Sequence, residues 1–161
     1  MRRPLSTCLG LGLGLSLCLA ILCPQSVQAD ALRSAGHNAT WQKECGACHV
    51  AYPPHLLPAA SWRETMGSLE RHFGTDASLE PAQAKEVLDF LTAYAGRRPA
   101  VGKDGKPLLR LTETAWFRHE HDEVPARLWK DSRVKHPSNC AACHRDAESG
   151  DFSERRLRLP K

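Results

Sequence analysis

The sequence predicts one small, mainly α-helical domain behind an export leader, and three observations lead to this fold class. The chain has 161 residues, a length that suits one domain with at most a leader or a tail. Apolar residues recur at helical spacing in the middle of the chain, and glycines and prolines separate these stretches. No stretch shows the alternation of strands and helices that builds a parallel sheet.

Residues 1–29 have the pattern of a secretory signal peptide. Two arginines precede an uncharged, Leu-rich run, and the small-residue pattern Val27-Gln28-Ala29 marks a cleavage site. A membrane anchor is the alternative, but the apolar run is short and is interrupted by glycines. We therefore expect a mature chain of residues 30–161.

Two amphipathic helices are expected in the first half of the mature chain. Residues 61–64, Ser-Trp-Arg-Glu, have the form of a capping box, and a stripe of apolar residues at helical spacing follows up to Gly74. The second helix should begin at Pro81, a residue suited to a first turn, and end at Gly96. The Gly- and Pro-rich stretch of about 97–110 should form an exposed loop between two halves.

The second half should be helical in shorter pieces. Thr112 is placed to cap a helical segment that carries Trp116, Phe117 and His121, and Pro125 should end or interrupt that segment. A short helix is expected around Leu128 and Trp129. Long connecting loops are therefore predicted in this half.

The chain has seven cysteines, and four of them remain after the leader is removed. These four form two C-x-x-C-H runs. The runs contain Cys45, Cys48 and His49, and Cys140, Cys143 and His144. Residues at i, i+3 and i+4 share one face of a helical turn. Each run can thus direct two thiols and one imidazole at a planar ligand. This spacing is the signal for covalent attachment of haem c, with thioether bonds to the vinyl groups and the imidazole on the iron.

Disulfides and a zinc site are the main alternatives for these cysteines. An exported protein can form disulfides, and four cysteines can hold one zinc ion. Neither alternative needs a His directly after each second Cys, and the 91 residues between Cys48 and Cys140 far exceed the usual loop of a zinc site. We therefore expect two haem c groups.

The sixth ligands of the two irons must come from the remaining histidines or from one methionine. The candidates are His37, His55, His72, His119, His121, His136 and Met66. His119 and His121 lie about 200° apart on a helix, so only one of them can face a haem. His121 follows Phe117 by four residues, and His72 lies at the end of the first apolar stripe, which favours these two as distal ligands. Which of them serves which haem is left open.

Further residues along the chain complete a family pattern. They are Trp41, the run 44–54, Leu57-Pro58-Ala59, Ser61-Trp62, His72-Phe73-Gly74, Trp116-Phe117, Glu120-His121, the run 139–144, Ala147, Gly150 and Phe152. This set resembles the dihaem cytochrome c family of exported bacterial proteins. The resemblance implies His49 and His144 as proximal ligands, His72 and His121 as distal ligands, and low reduction potentials.

The resemblance also implies an electron carrier of the bacterial periplasm and not an enzyme. Family members are expected to donate electrons to an oxygen-binding monohaem cytochrome c or to accept them from a membrane cytochrome b. The alternative is a dihaem peroxidase-like enzyme, or a ligand-binding or sensor protein, with one open coordination site. Dihaem peroxidases are much larger than this chain, which favours the electron carrier.

Charge argues against nucleic acid as a partner. The mature chain has a formal net charge of only +2, because the segment 30–96 carries −3 and the segment 97–161 carries +5. This asymmetry could steer the docking of a redox partner. Solvated surface is the simpler interpretation of such charge.

Overall fold

The computed structural model describes residues 37–160, and the predicted signal peptide lies outside them. This part of the chain contains five α-helices: α1 (Ala39–Cys45), α2 (Ala59–Met66), α3 (Pro81–Ala93), α4 (Ala115–Glu120) and α5 (Ala126–Trp129). The same part of the chain has six short 3₁₀ turns, three between the helices and three after α5, and it contains isolated β-bridges but no strand. The mainly α fold class is confirmed. None of the helices in this part of the chain is long and apolar enough to cross a bilayer.

Helix α1 leads directly into the first C-x-x-C-H run. Its N-cap is Asn38, whose side-chain oxygen accepts a hydrogen bond from the Trp41 N–H at 2.7 Å. The helix ends at Cys45, where the Gly46 N–H donates to the carbonyl of Gln42. A Cβ atom at position 46 would lie 2.3 Å from that carbonyl oxygen, so the turn into the motif requires glycine.

Helix α2 is shorter than the sequence pattern predicted. The predicted capping box at Ser61 was wrong, because the helix begins after Pro58, whose fixed φ precedes the first turn, and Ser61 is a buried interior residue. The predicted end at Gly74 was also wrong. The helix stops at Met66, because Gly67 serves as the C-cap and donates to the Arg63 carbonyl at 2.9 Å.

Helix α3 confirms the predicted start at Pro81 and ends at Ala93, three residues before Gly96. It buries Val87 and Leu91 against α2 and α1. The Trp41 and Phe90 rings pack with centroids 5.2 Å apart. The helix thereby fixes the position of α1.

One core includes residues from both sides of the stretch 97–110. Its buried members are Leu57, Trp62, Val87, Leu91, Ala100, Leu111 and Phe117. Ala100 is buried within that stretch, whose tip is closed by a bridge between Val101 and Pro107. Residues before and after this stretch therefore share one apolar core.

Gly96 joins this stretch to the first half at a very close backbone approach. Its N–H donates to the Leu57 carbonyl at 2.8 Å, and a Cβ at position 96 would lie 2.1 Å from the His55 carbonyl oxygen. We expect Gly96→Ala to destabilise the protein by about 3 kcal/mol, since backbone must move to admit the methyl group. Chemical denaturation of the haem-loaded protein measures this change.

Gly105→Ala is the matched control for Gly96→Ala. Gly105 has a φ of +78°, and nothing lies within 4 Å of a Cβ placed there. Only the left-handed backbone then opposes the substitution, at a cost of about 1–2 kcal/mol. Equal decreases in the free energy of unfolding of the two variants would contradict the steric argument at Gly96.

In the second half, the predicted N-cap of α4 was wrong by two residues. Thr114, and not Thr112, caps the helix, because Thr112 lies inside the 3₁₀ turn Leu111–Glu113. The Thr114 hydroxyl accepts from the Phe117 N–H at 3.1 Å. The short helix expected around Leu128 and Trp129 is confirmed as α5, with Pro125 at its N-cap.

Candidate functional site

The first candidate site pairs His49 with His72. Their imidazole centroids lie 6.3 Å apart, and the ring planes differ by 23°. Both histidines line a cavity of about 540 Å³, together with Cys45 and Cys48. All four side chains therefore face one space, which is bounded by α1, α2 and segments of the second half of the chain.

The His49 ring is oriented by its own backbone neighbour. Its Nδ1 lies 2.7 Å from the Val50 carbonyl oxygen. A carbonyl can only accept, so Nδ1 carries the proton and Nε2 is left with a free lone pair. This tautomer is the one that metal-binding histidines commonly adopt. Tyr52 stacks on the same ring, with a centroid distance of 4.8 Å.

His72 lies at the start of a tight surface turn. Phe73 and Gly74 both have positive φ, +50° and +96°, and the Thr75 N–H donates to the His72 carbonyl at 3.0 Å. Burial lowers the pKa of His72, and the charges of His49 and Arg110 act in the same direction. The neutral imidazole that results is the form that binds metals.

The second candidate site pairs His121 with His144. The ring centroids lie 6.1 Å apart, and the planes differ by 73°. His121 borders a cavity of about 290 Å³. Its Nδ1 donates to the Phe117 carbonyl at 2.9 Å, and its ring stacks on Phe117 with a centroid distance of 4.0 Å. As at His49, this hydrogen bond leaves Nε2 with a free lone pair.

The second C-x-x-C-H run is held by the C-terminal tail. Cys140–Ala142 forms a 3₁₀ turn, and the His144 N–H donates to the Cys140 carbonyl at 2.8 Å. The Arg158 N–H donates to the Cys143 carbonyl at 3.0 Å, and Leu157 forms a bridge with His144. Burial lowers the pKa of His144, with a further contribution from His121.

None of the four motif cysteines forms a disulfide. Burial raises the pKa of Cys45 to about 11, helped by the charge of Glu44. Burial also raises the pKa values of Cys140 and Cys143. Within residues 37–160, no group of three or more His, Cys, Asp or Glu side chains is arranged to hold a metal ion by itself. A zinc site built from the four cysteines therefore does not fit this arrangement.

Both imidazole pairs have the spacing that one metal ion between them requires. An imidazole nitrogen binds a metal at about 2.0 Å, and the ring centre lies about 1.1 Å further, so two opposed rings should have centroids about 6.2 Å apart. The observed distances are 6.3 and 6.1 Å. Each pair therefore has the centroid separation expected for one iron bound by both rings.

Tyr52 connects the two sites. Its hydroxyl donates to the Ser138 carbonyl at 3.0 Å, and the Cys140 Sγ lies 3.6 Å from that same oxygen. Burial raises the pKa of Tyr52, and interaction with Cys140 adds to this effect. Reasoning from the ligands alone missed this residue, although its position three residues after His49 was a usable signal. The first ligand pair and the second attachment site are thus in contact.

The other four histidines lie outside the two pairs. His37 and His119 are exposed. His55 is half-buried, and burial together with Arg98 lowers its pKa. His136 is exposed at the rim of the first cavity, where its Nδ1 lies 2.9 Å from the Ser138 hydroxyl. The structure therefore brings His72 to His49 and His121 to His144, the pairing that the sequence left open.

Comparison with known proteins supports the same interpretation. A family profile described as dihaem cytochrome c matches residues 41–152. A diheme cytochrome c from Shewanella baltica OS155 is 38% identical, with a TM-score of 0.66, and the match covers 76% of this chain and 93% of that one. A diheme cytochrome c from Rhodobacter sphaeroides is 41% identical, with a TM-score of 0.64 over 71% of this chain and 96% of that one. No functionally curated protein matches the chain.

Proposed function

The chain belongs to the dihaem cytochrome c family and carries two haem c groups, and on that premise we propose that it is an electron carrier of the bacterial periplasm. The observation that carries the proposal is the presence of two opposed imidazole pairs, each spaced for one iron. An iron with two protein ligands keeps its coordination when it is oxidised or reduced. Such a site suits electron transfer better than chemistry on a bound substrate.

In this proposal the two C-x-x-C-H runs attach the haems, and four histidines bind the irons. The thioether bonds come from Cys45, Cys48, Cys140 and Cys143; the proximal ligands are His49 and His144, and the distal ligands are His72 and His121. Each haem supplies one-electron oxidation and reduction at its iron. The ligand set and its burial tune the potential, and two imidazoles favour oxidised iron more than His/Met ligation does.

The protein side chains contribute orientation and exclusion of water. Hydrogen bonds from Nδ1 to carbonyl oxygens hold the His49 and His121 rings with Nε2 available. Tyr52 packs between the first ligand pair and the second attachment site. This contact links the first ligand pair to the second attachment site, which would favour the exchange of electrons between the two haems.

We also propose that the partners are an oxygen-binding monohaem cytochrome c and a membrane cytochrome b, on the basis of the family pattern. The opposite net charges of the segments 30–96 and 97–161 support electrostatic docking of one such partner. The leader pattern of residues 1–29 supports the periplasm as the location.

The deciding experiment is an absorption spectrum of the reduced protein with and without carbon monoxide. At neutral pH and without denaturant, neither haem should bind carbon monoxide, because both irons already have two protein ligands. Stoichiometric binding at one haem would contradict the proposal. It would favour the alternative of a peroxidase-like or ligand-binding protein with one open site.

The oxidised protein should give two distinguishable low-spin electron paramagnetic resonance signals. The imidazole planes differ by 23° in the first pair and by 73° in the second. Near-parallel rings split the iron d orbitals more than near-perpendicular rings do, so the first haem should give the more rhombic signal. Low-temperature spectra of the ferric protein test this. Two superimposable signals would contradict the ring geometry.

A further inference from the structure

A cation from the second half of the chain lies beside the turn that carries His72. The Arg110 guanidinium carbon is 4.0 Å from the centroid of the Phe73 ring. Arg110 lines the same cavity as His49 and His72. The guanidinium therefore lies next to the turn that carries His72, in the lining of the space that the first ligand pair shares.

The backbone of Arg110 is anchored by the protein core. Arg110 is the N-cap residue of the 3₁₀ turn Leu111–Glu113, and Leu111 is buried in the shared core. The guanidinium lies 3.6 Å from the Glu113 carboxylate, whose side chain is 54% exposed. The Glu113 carboxylate is the more exposed member of this pair, so solvent screens its charge more and it offsets only part of the Arg110 charge. The Phe73 ring holds the other side of the guanidinium by a cation–π contact.

The acids at the same cavity have partners of their own. Glu44 lies 2.8 Å from the Lys43 ammonium and 3.4 Å from the Gln83 amide nitrogen. Asp76 accepts a hydrogen bond from the Ser78 N–H at 2.9 Å. Both carboxylates therefore interact with donors of the protein itself. The Arg110 guanidinium instead packs on Phe73, the residue next to His72.

We propose that the positive charge of Arg110 raises the reduction potential of the first haem. Reduction adds one negative charge to the site, and a nearby positive charge stabilises the reduced state. The effect is larger at a partly buried site than in water, because the surroundings screen the charge less. This inference rests on the proposed ligation by His49 and His72, and it adds a residue that sequence reasoning missed.

The test is a potentiometric titration of the haem-loaded Arg110→Met, Arg110→Lys and Arg98→Met variants, with electron paramagnetic resonance to follow the two haems separately. Met retains the length of the side chain without its charge, and Lys retains the charge. Arg98 is the matched control, because its guanidinium stacks on Trp116 at 5.4 Å and its loss changes net charge equally.

Arg110→Met should shift the reduction equilibrium of the first haem about threefold to tenfold toward the oxidised form, or roughly 30 to 60 mV for one electron. Arg110→Lys should retain most of the wild-type potential, and Arg98→Met should leave it nearly unchanged. An unchanged potential in Arg110→Met, an equal shift in Arg98→Met, or an equal shift in Arg110→Lys would overturn the proposal. Loss of the first low-spin signal in Arg110→Met would also overturn it, since Arg110 would then only shape the turn.

Failure of this inference can be separated from failure of the proposed ligation. If His72 is not a ligand, then His72→Ala leaves the low-spin spectrum of both haems intact. If only the role of Arg110 is wrong, His72→Ala still opens the first site while Arg110→Met leaves the potential unaltered.

Discussion

Replacing His72 with Ala should convert one of the two haems from a low-spin to a high-spin spectrum and allow it to bind carbon monoxide. The wild-type protein should bind none, so the expected stoichiometry rises from zero to one per chain. The physical reason is the ring geometry, because the imidazole that faces His49 across 6.3 Å is removed. His121→Ala should open the other haem in the same way.

Two histidines provide matched controls for this experiment. His119 is exposed and lies two residues from His121, and His55 is half-buried near Arg98. Ala at either position should leave both haems low-spin and closed to carbon monoxide. If His119→Ala opened a site and His121→Ala did not, the proposed distal ligand of the second haem would be wrong.

The spectra of these variants also link each histidine to one haem. His72→Ala should remove the more rhombic of the two ferric low-spin signals, because the near-parallel rings belong to the pair His49 and His72. His121→Ala should remove the other signal. The opposite result would exchange the two assignments without affecting the number of haems.

Removing the haems should leave a largely unfolded chain. The first cavity is lined by Leu57, Trp62, Leu91 and Leu111, all members of the buried core. The cleft of about 540 Å³ is open to solvent, so without haem water wets these apolar walls. An ordinary domain is stable by only about 5–15 kcal/mol, so the loss of the apolar contact with haem removes much of the stability.

A chain with all four motif cysteines changed to Ser tests this expectation, because it cannot hold haem covalently. Far-ultraviolet circular dichroism should show little helix and no cooperative thermal transition. The haem-loaded protein at the same pH is the control, and it should show the helical spectrum of a mainly α fold. A native-like spectrum from the haem-free chain would contradict the argument that the haems complete the core.

Local patterns were enough to predict several helical features. The start of α3 at Pro81 and the short helix at Leu128 and Trp129 follow from signals that act within one or two turns. The capping-box prediction at Ser61 failed because Pro58 begins the helix earlier and the core buries the Ser61 hydroxyl. The cap at Thr112 failed because the chain forms a 3₁₀ turn there, whose first residue, Leu111, is buried in the core.

The sequence by itself determined the number and chemical type of the cofactors and identified the family, because each C-x-x-C-H run encodes its chemistry within five consecutive residues. Only the tertiary structure decided which histidines oppose one another. His49 and His72 lie 23 residues apart in the chain, and so do His121 and His144, a separation at which no helical period relates two side chains. Their pairing, the contact of Tyr52 with the second attachment site and the position of Arg110 beside Phe73 all depend on long-range packing of the shared core.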